Sequence, residues 1–396
     1  MFEDIIEFIR NLYPDQNPVP LHAPVFLGKE KDYLLDCIDT TYVSYVGKYV
    51  NRFEEMTAEY TGAKYALAVV NGTAALQVAL QLAGVKYNDE VITQPLTFVA
   101  TANAISHCGA KPVFIDVDPD TMGMSPEKLN DWLSKNTKYK QSGNQTINQL
   151  TNLPAGRQVN KLTGNPISAI VPMHTFGFPC RIDEIVQVAN RYNIPVIEDA
   201  AESLGSLYKG KHTGTFGLAG ILSYNGNKTI TTGGGGMIIT DDEKLSVKAK
   251  HITTTAKIPH PYEFVHDEVA YNYRMPNINA AIGVSQMEKI RFIINNKRET
   301  AVLYEEFFKD RDIDFISENK FSRANFWLNS ILLKDYDLRN KFLTFSNSKG
   351  VQSRPAWVLM PKLKMYSDCI KGDLSNALQL EARLVNLPSS LRITAH

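Results

Sequence analysis

Short apolar runs alternate with helical or polar stretches from about residue 64 to residue 240. Seven of these runs are rich in Val and Ile, and several end in a polar residue, which is typical of buried strands. They are 66–70, 90–94, 111–117, 168–174, 195–199, 220–224 and 236–240. This rhythm predicts an α/β domain with a mostly parallel seven-stranded sheet, and such sheets bind ligands at the carboxyl ends of their strands.

Beyond about residue 255 the pattern changes to longer helical stretches, such as 278–309, and then to β-like pieces at 326–333 and 351–359. The change predicts two domains, a large one over residues 1–255 with the N-terminal segment and a smaller C-terminal α/β domain over 256–396. The first twelve residues have the spacing of a short amphipathic helix. Residues 134–165 are poor in apolar side chains, which favours a surface excursion over a lid above a large substrate.

The composition argues against several classes of protein. The chain of 396 residues has 42 Lys and Arg against 42 Asp and Glu, so it lacks the basic surplus of a general nucleic-acid-binding protein. No apolar run approaches the roughly 18 residues of a membrane span. The four cysteines form no CxxC pair, which argues against a zinc or redox centre and favours free thiols in a reducing cytosol. We therefore expect a cytoplasmic protein with no metal site and no nucleic-acid or membrane partner.

Gly72 and Thr73 stand between a predicted strand and an Ala- and Leu-rich helix. Free N–H groups at a helix start bind phosphate, and glycine lets the ligand approach closely. A threonine before a helix is also a common N-cap, and for this segment alone the N-cap is the stronger interpretation.

Asp199 ends the apolar strand 195–199 and is followed by small residues. A carboxylate in that place must be paired or hydrogen-bonded, because burying it alone is costly. It could cap the next helix, or it could be the counter-charge to a protonated ring nitrogen of a cofactor, and the two interpretations are about equal.

Lys228 follows a predicted strand and precedes four consecutive glycines, Gly233 to Gly236. The order is wrong for a Walker phosphate loop, and the strand–GxGxxG–helix order of a dinucleotide site is absent. A lysine held in a crowded site, with glycines turning the backbone around a ligand, is the interpretation that remains.

In combination, these segments resemble the DegT/DnrJ/EryC1/StrS family, whose members are pyridoxal-phosphate-dependent nucleotide-sugar aminotransferases. The resemblance covers about residues 20–390 and is carried in order by Asn71-Gly-Thr-Ala-Ala-Leu76, Leu96-Thr-Phe-Val-Ala-Thr101, Glu198-Asp-Ala-Ala-Glu-Ser203, Ser223 with Lys228, Gly233–Gly236 and Tyr271-Asn-Tyr-Arg274. Other segments resemble the branch associated with legionaminic-acid-type 4-amino sugars, including Val43-Ser-Tyr-Val-Gly-Lys-Tyr-Val50, Asn225-Gly-Asn-Lys228 and Arg354-Pro-Ala-Trp357.

The resemblance implies the type I fold of pyridoxal-phosphate enzymes and a homodimer with active sites at the subunit interface. By position, Lys228 matches the lysine that binds pyridoxal 5′-phosphate covalently, and Asp199 matches the acid that pairs with the pyridinium nitrogen. Glu202 stands at a further cofactor position, where many relatives have Gln or His. A lysine amine attacks the cofactor aldehyde only when it is deprotonated, and once freed it can carry a proton between two carbons.

The resemblance also assigns the remaining cofactor contacts. Gly72, Thr73 and Ser223 match residues that contact the phosphate, and Phe98 matches the aromatic residue that stacks on the ring. Asn272 matches a residue that reaches the phosphate of the neighbouring subunit, so its role would be in trans.

Five further residues are candidates to contact the sugar, the diphosphate or the carboxylate of the amino donor: Tyr45, Lys48, His174, Arg274 and Arg354. Arginine suits planar anions, but an arginine or lysine of this kind is as easily a surface ion-pair partner. The histidine is at least as easily a structural one.

The resemblance implies transfer of an amino group from L-glutamate or a similar amino acid to a nucleotide-linked 4-keto-6-deoxy sugar. The branch points to a UDP-N-acetyl form, for surface-polysaccharide or nonulosonic-acid biosynthesis. One alternative is a dehydratase with the same cofactor, although in the family that activity accompanies a histidine in place of the lysine. The other is a non-catalytic sugar-binding or regulatory protein, which would not need Asp199, Ser223, Lys228 and Asn272 together.

Overall fold

The computed structural model describes residues 2–141 and 156–393. Four of its helices lie between successive strands of the largest sheet and connect them. The helices are α1 (Phe2–Leu12), α2 (Glu30–Asp39), α3 (Lys48–Thr61), α4 (Gly72–Leu82), α5 (Val99–His107), α6 (Pro126–Asn136), α7 (Ile182–Arg191), α8 (Glu243–Thr253), α9 (Asn277–Glu288), α10 (Ile290–Phe308), α11 (Tyr336–Ser348) and α12 (Ser375–Arg383).

The strands range from two to five residues. They are β1 (Tyr65–Val69), β2 (Glu90–Thr93), β3 (Lys111–Phe114), β4 (Thr137–Gln141), β5 (Gly156–Asn160), β6 (Ile167–Val171), β7 (Ile197–Asp199), β8 (Leu207–Tyr208), β9 (Lys211–His212), β10 (Ala219–Ser223), β11 (Gly236–Thr240), β12 (Lys257–Ile258), β13 (Val265–His266), β14 (Asp314–Phe315), β15 (Ser322–Arg323), β16 (Asn329–Leu332), β17 (Arg354–Pro355) and β18 (Leu384–Leu387).

Seven strands form the central sheet, in the order β1-β11-β10-β7-β6-β2-β3. Parallel bridges from Ile170 to Val196 and from Met173 to Asp199 join its two halves. Strand β11 runs in the opposite direction to the other six. The predicted mostly parallel seven-stranded sheet is therefore confirmed.

The predicted strands are too long at some ends. Strand β3 stops at Phe114 rather than 117, because the chain then bends and Val117 pairs antiparallel with Met124. The predicted long helix 278–309 is two helices, α9 and α10, separated at Lys289. Apolar spacing cannot show such a break, because both helices bury apolar residues on either side of it.

Helix α4 is buried along nearly its whole length, which agrees with its mostly apolar sequence. It packs against strands of the central sheet with a core that includes Val69, Leu76, Val171, Ile197 and Ile221. This packing fixes the start of α4 at the carboxyl ends of β1 and β10.

The smaller domain is built on a four-stranded antiparallel sheet in the order β14-β16-β18-β17. Helices α10, α11 and α12 pack near it. Helix α1 joins the same core, since Ile5, Ile6 and Ile9 lie against Tyr304 and Phe342. The boundary between residues 255 and 256 stays a prediction.

The polar segment 134–165 is described only at its two ends. Strands β4 and β5 pair antiparallel there, with Thr137 opposite Asn160. The residues between them, 142–155, lie outside the described part of the chain. The prediction of a surface excursion rather than a lid concerns these residues and stays a prediction. Among the helices of residues 2–141 and 156–393, none combines the length and the apolar character that crossing a membrane requires.

Candidate active site

The start of helix α4 presents free backbone donors at one end of the central sheet. The side chain of Asn71 caps the helix by accepting the N–H of Ala74 at 2.8 Å. The N–H groups of Gly72 and Thr73 have no partner within the helix, as at every helix start. A Cβ on Gly236 would lie 2.4 Å from the Asn71 carbonyl carbon and 2.7 Å from the Gly72 nitrogen. This glycine therefore lets β11 lie directly against the helix start.

Ser223 ends strand β10 beside that helix start. A Cβ on Gly72 would lie 3.2 Å from the Cβ of Ser223 and 3.4 Å from its Oγ. Two backbone N–H groups, the positive end of the helix dipole and a hydroxyl thus converge at one place, which is the chemistry of a phosphate site.

Asp199 is buried at the carboxyl end of β7. Its Oδ2 accepts the hydroxyl of Thr101 at 2.7 Å, and its Oδ1 accepts the N–H of Ala201 at 3.2 Å. An ionised carboxylate has about four acceptor positions, so these two donors orient it and leave acceptor capacity towards the cavity.

Lys228 lies on the loop after β10, where its backbone N–H donates to the carbonyl of Asn225 at 3.0 Å. Its Nζ donates to Oε1 of Glu202 at 3.1 Å, and this pair is almost fully buried. The other carboxylate oxygen of Glu202 accepts the N–H of Phe176 at 2.9 Å. Burial raises the pKa of Glu202 to about 7, against the opposing effects of Lys228 and of the Phe176 N–H.

Phe176 has a backbone φ of 55°, in the left-handed region that a bulky residue rarely adopts. The N–H that it turns towards Glu202 is one reason why this conformation is held. Backbone outliers of this kind cluster at functional sites.

Two tryptophans bring the smaller domain to the site. The Nζ of Lys228 lies 4.2 Å from the ring centroid of Trp327, whose Nε1 donates to the carbonyl of Asn227 at 2.8 Å. Trp357 lies between the rings of Phe98 and Phe176, with centroids at 6.0 Å and 4.6 Å. The aromatic wall of the site therefore comes from both domains.

These groups line one cavity of about 340 Å³. Its walls are formed by Asn71, Gly72, Thr73, Leu76, Phe98, Ala100, Thr101, Met173, Asp199, Ala201, Glu202, Ser223, Asn225, Asn227, Lys228, Trp327 and Trp357. Of the eight residues assigned to the cofactor from the sequence, seven line it.

The donor and acceptor set fits pyridoxal 5′-phosphate. The helix start with Ser223 suits the phosphate, Asp199 suits a cationic ring nitrogen, and the amine of Lys228 suits the aldehyde. Phe98 supplies an aromatic face that is about half exposed to the cavity. The fit rests on the convergence of these groups in one cavity.

Asn272 does not line this cavity. It is exposed on the surface of the chain, where it makes an antiparallel bridge with Thr254. An exposed position is what a residue needs to reach the phosphate site of a second subunit, and this role of Asn272 stays a prediction.

The structure does not bring the five substrate candidates to the cavity walls. His174 is fully buried behind Asp199, where its Nε2 lies 3.0 Å from Glu198 Oε2 and its Nδ1 accepts the N–H of Cys180. Arg274 is also buried, with its guanidinium 2.7 Å from Glu54. The polar atoms of both side chains are used inside the protein.

The other three candidates are surface residues. Lys48 pairs with Asp36 at 2.8 Å, and Tyr45 is 40% exposed on the loop before α3. Arg354 donates to Oδ1 of Asn347 at 2.8 Å. None of these three lines the cavity of its own chain, so a role in binding the substrate stays a prediction.

The structure adds residues to which the sequence analysis assigned no role. Thr101 lies in the first turn of α5, three residues after the N-cap residue Phe98, and both belong to the segment Leu96–Thr101. Trp327 is about 100 residues from Lys228 in the chain, and no local pattern connects them. Asn225 and Asn227 line the cavity because they flank the turn that carries Lys228.

Comparison with known proteins places this geometry among aminotransferases. The model of the DegT/DnrJ/EryC1/StrS aminotransferase family matches residues 27–396. GDP-perosamine synthase of Escherichia coli is 36% identical over 371 residues, which cover 94% of this chain and 93% of that one. GDP-perosamine synthase of Caulobacter vibrioides is 34% identical over 381 residues, or 95% of this chain and 94% of the relative.

A solved structure is similar over the same span. Helicobacter pylori PseC, an aminotransferase involved in the biosynthesis of pseudoaminic acid, superposes with a TM-score of 0.81 at 22% identity and covers 94% of both chains. This likeness concerns the fold, and it confirms the type I fold with a large and a smaller domain.

Proposed function

Because the chain belongs to the DegT/DnrJ/EryC1/StrS aminotransferase family, we propose that it moves an amino group from an amino acid, L-glutamate, to a nucleotide-linked 4-keto-6-deoxy sugar. The observation that carries the proposal is the convergence of Lys228, Asp199 and the start of α4 on one cavity. A packed fold needs none of these side-chain identities in that arrangement.

The cofactor is pyridoxal 5′-phosphate, which supplies an aldehyde for the amino group and a ring that accepts negative charge. Gly72, Thr73 and Ser223 would hold its phosphate, and Phe98 would pack on its ring. Asp199, oriented by Thr101, would keep a proton on the ring nitrogen.

Lys228 would bind the cofactor and, when free, move protons at its Nζ. Glu202 can take part in that proton balance, because its Oε1 is 3.1 Å from Nζ and its pKa of about 7 lets it gain or lose a proton near neutral pH. The ring of Trp327, with its centroid 4.2 Å from Nζ, restricts the amine on one side.

Two lines of support point to different nucleotides. The resemblance to the legionaminic-acid branch favours a UDP-linked N-acetylated sugar, and this is the acceptor we propose, for surface-polysaccharide or nonulosonic-acid biosynthesis. The two relatives described above, at 36% and 34% identity, are named GDP-perosamine synthase, which favours a GDP-linked sugar as the second candidate.

We further propose a homodimer in which Asn272 reaches the phosphate site of the partner. The segment before α3 supports this proposal, because several of its large apolar side chains are exposed. They are Phe26, Leu27, Leu35, Ile38, Tyr42, Val43, Tyr45 and Val46. Large apolar side chains exposed in number along one segment favour an interface. The cytoplasmic location stays a prediction, and all four cysteines are free thiols in the structure.

Two measurements test the proposal. Borohydride reduction of the protein loaded with cofactor, followed by peptide mapping, should find the adduct on Lys228, and K228A should lose at least about a thousandfold in kcat. The exposed Lys244 is a matched control, since K244A should still form the adduct on Lys228 and should keep the kcat of the wild type. An adduct on another lysine, or full turnover by K228A, contradicts the catalytic assignment.

The acceptor is tested with a panel of UDP-, GDP- and dTDP-linked 4-keto-6-deoxy sugars and L-glutamate, read by the mass change on amination. Amination of the UDP-linked N-acetyl sugar alone supports the first candidate, and amination of the GDP-linked sugar alone supports the second. A dehydrated product would favour the dehydratase alternative. Sugar binding without turnover would favour the non-catalytic one.

A further inference from the structure

Lys297 is a buried lysine to which the proposed chemistry gives no role. It lies on α10 with only 1% of its surface exposed. Its Nζ has three partners, each from a different segment: Nε2 of His22 at 2.9 Å, the carbonyl of Trp327 at 3.2 Å and the carbonyl of Ser389 at 2.7 Å. These contacts join the N-terminal segment, the start of the small sheet and the chain after β18.

The three partners of Lys297 match the three donors of its charged form. An ammonium group has three donors, and the two carbonyls with the His22 nitrogen are three acceptors. His22 must then be neutral, and burial, followed by the charges of Lys297 and Lys228, lowers its pKa well below the usual value. With the His22 proton on Nδ1, Nε2 is an acceptor and a neutral amine has two donors for three acceptors, so one of the three contacts would be lost.

One of those contacts leads to the catalytic lysine. Trp327 accepts from Lys297 through its backbone carbonyl, and its indole ring lies 4.2 Å from the Nζ of Lys228. The indole also donates to Asn227, next to Lys228 in the chain. The ring is therefore fixed at its backbone by Lys297 and at its edge by the loop that carries Lys228.

We propose that Lys297 is a positioning residue, whose ammonium group holds Trp327 against Lys228. The inference rests on the proposed role of Lys228, and it adds Lys297 as a residue that acts on Lys228 through Trp327. The contact to the Trp327 carbonyl is the longest of the three at 3.2 Å, so it is the one that deprotonation weakens most.

Burial lowers the pKa of Lys297 to about 7, which places the loss of its third donor in the neutral range. The titratable group that contacts it is His22, with Lys228 beyond. Arg392, on the segment that follows Ser389, is engaged by Glu299 and Thr300 of α10. Glu202, on the far side of Lys228, also has a pKa of about 7. A titration must therefore distinguish the protonation of Glu202 from that of Lys297.

The test follows the tryptophan signal of the holoenzyme from pH 6 to pH 8.5, by fluorescence and near-UV circular dichroism. The contribution of Trp327 is the difference between the wild type and W327F, since the chain has three tryptophans. We expect a transition near pH 7 that persists in E202Q and is absent in K297M. K309M, at an exposed lysine just after the same helix, should keep it.

Kinetics give an independent readout. K297M should lower kcat about tenfold and leave KM within about twofold, because loss of one hydrogen bond from a charged donor costs on that order. If K297M does not fold, the titrations of wild type, W327F and E202Q still decide. A flat Trp327 signal, or a transition that disappears in E202Q, overturns the proposal. Because this signal does not depend on turnover, it also separates failure of this inference from failure of the proposed function.

Discussion

The hydroxyl of Thr101 donates to Oδ2 of Asp199 across 2.7 Å, and both groups are buried at one wall of the cavity. Thr101 in turn lies 2.7 Å from the hydroxyl of Thr97. Strand β7 and helix α5 are far apart in the chain, so this bond is a product of the folded sheet. It gives the carboxylate one orientation, which is what a partner for a cationic ring requires.

T101V should therefore weaken cofactor binding by about 10-fold to 100-fold, because a hydrogen bond to a charged group is worth about 1.5–3 kcal/mol. The affinity is measured by titrating the apoenzyme with pyridoxal 5′-phosphate and following absorbance. T101S keeps the hydroxyl and should bind within about threefold of the wild type. Equal affinity of T101V and the wild type would show that the bond does not support Asp199.

The second prediction compares two glycines of one run. A Cβ on Gly236 would meet backbone atoms of Asn71 and Gly72 at 2.4–2.7 Å, whereas a Cβ on Gly234 has its nearest neighbour at 3.9 Å. G236A should lower the free energy of unfolding by about 1–3 kcal/mol and weaken phosphate binding, because overpacking moves the start of α4. G234A should change stability by less than about 0.5 kcal/mol. Urea unfolding measures both, and similar losses in the two variants would contradict the steric argument.

The third prediction concerns the pH dependence that Glu202 imposes on the apoprotein. Its pKa in the folded state, about 7, is above its value in the unfolded chain, so the folded state binds this proton more tightly. The stability that results is fully present below about pH 4.5 and is lost as the pH rises through 7. Between pH 5 and pH 8 the free energy of unfolding should therefore fall more in the wild type than in E202Q.

Between pH 5 and pH 8 the free energy of unfolding should fall by no more than about 3 kcal/mol more in the wild type than in E202Q, since one pKa unit corresponds to about 1.4 kcal/mol. It is measured by chemical unfolding at several pH values after removal of the cofactor. E55Q, at an exposed carboxylate, should follow the wild type. A parallel fall in E202Q and the wild type would mean that another group is responsible.

Much of the site could be predicted because its residues sit on local patterns. Gly72 follows one strand-like run and Asp199 ends another, where the rule that ligands bind at the carboxyl ends of strands points. The role of Ser223 followed from the family resemblance. The seven-stranded sheet followed from the same alternation of short apolar runs and helical segments. Lys228 was found because a lysine before four glycines has no ordinary surface explanation.

The rest depends on distant parts of the chain. Trp327 and Lys297 reach the site only through the packing of α10 and the small sheet, and no spacing in the sequence records that. Arg274 belongs to a recognisable segment, but whether an arginine points to a ligand or to a buried carboxylate depends on tertiary contacts. The same limit applies to His174, whose ring is turned towards Glu198.

Arg274 provides the last prediction. Its guanidinium lies 2.7 Å from Oε1 of Glu54 and also donates to the carbonyl of Ala68 at 3.0 Å, with little exposure of either charged side chain. R274M leaves the Glu54 carboxylate without its counter-charge, so it should lower the free energy of unfolding by about 3–5 kcal/mol. The double variant R274M/E54Q should recover part of this loss, because no buried charge remains and the amide can still accept the Ala68 N–H. Urea unfolding of the two variants, with R291M at an exposed arginine as the control, measures the effect. If R274M were as stable as the wild type and instead raised KM for the sugar nucleotide, Arg274 would be a substrate ligand after all.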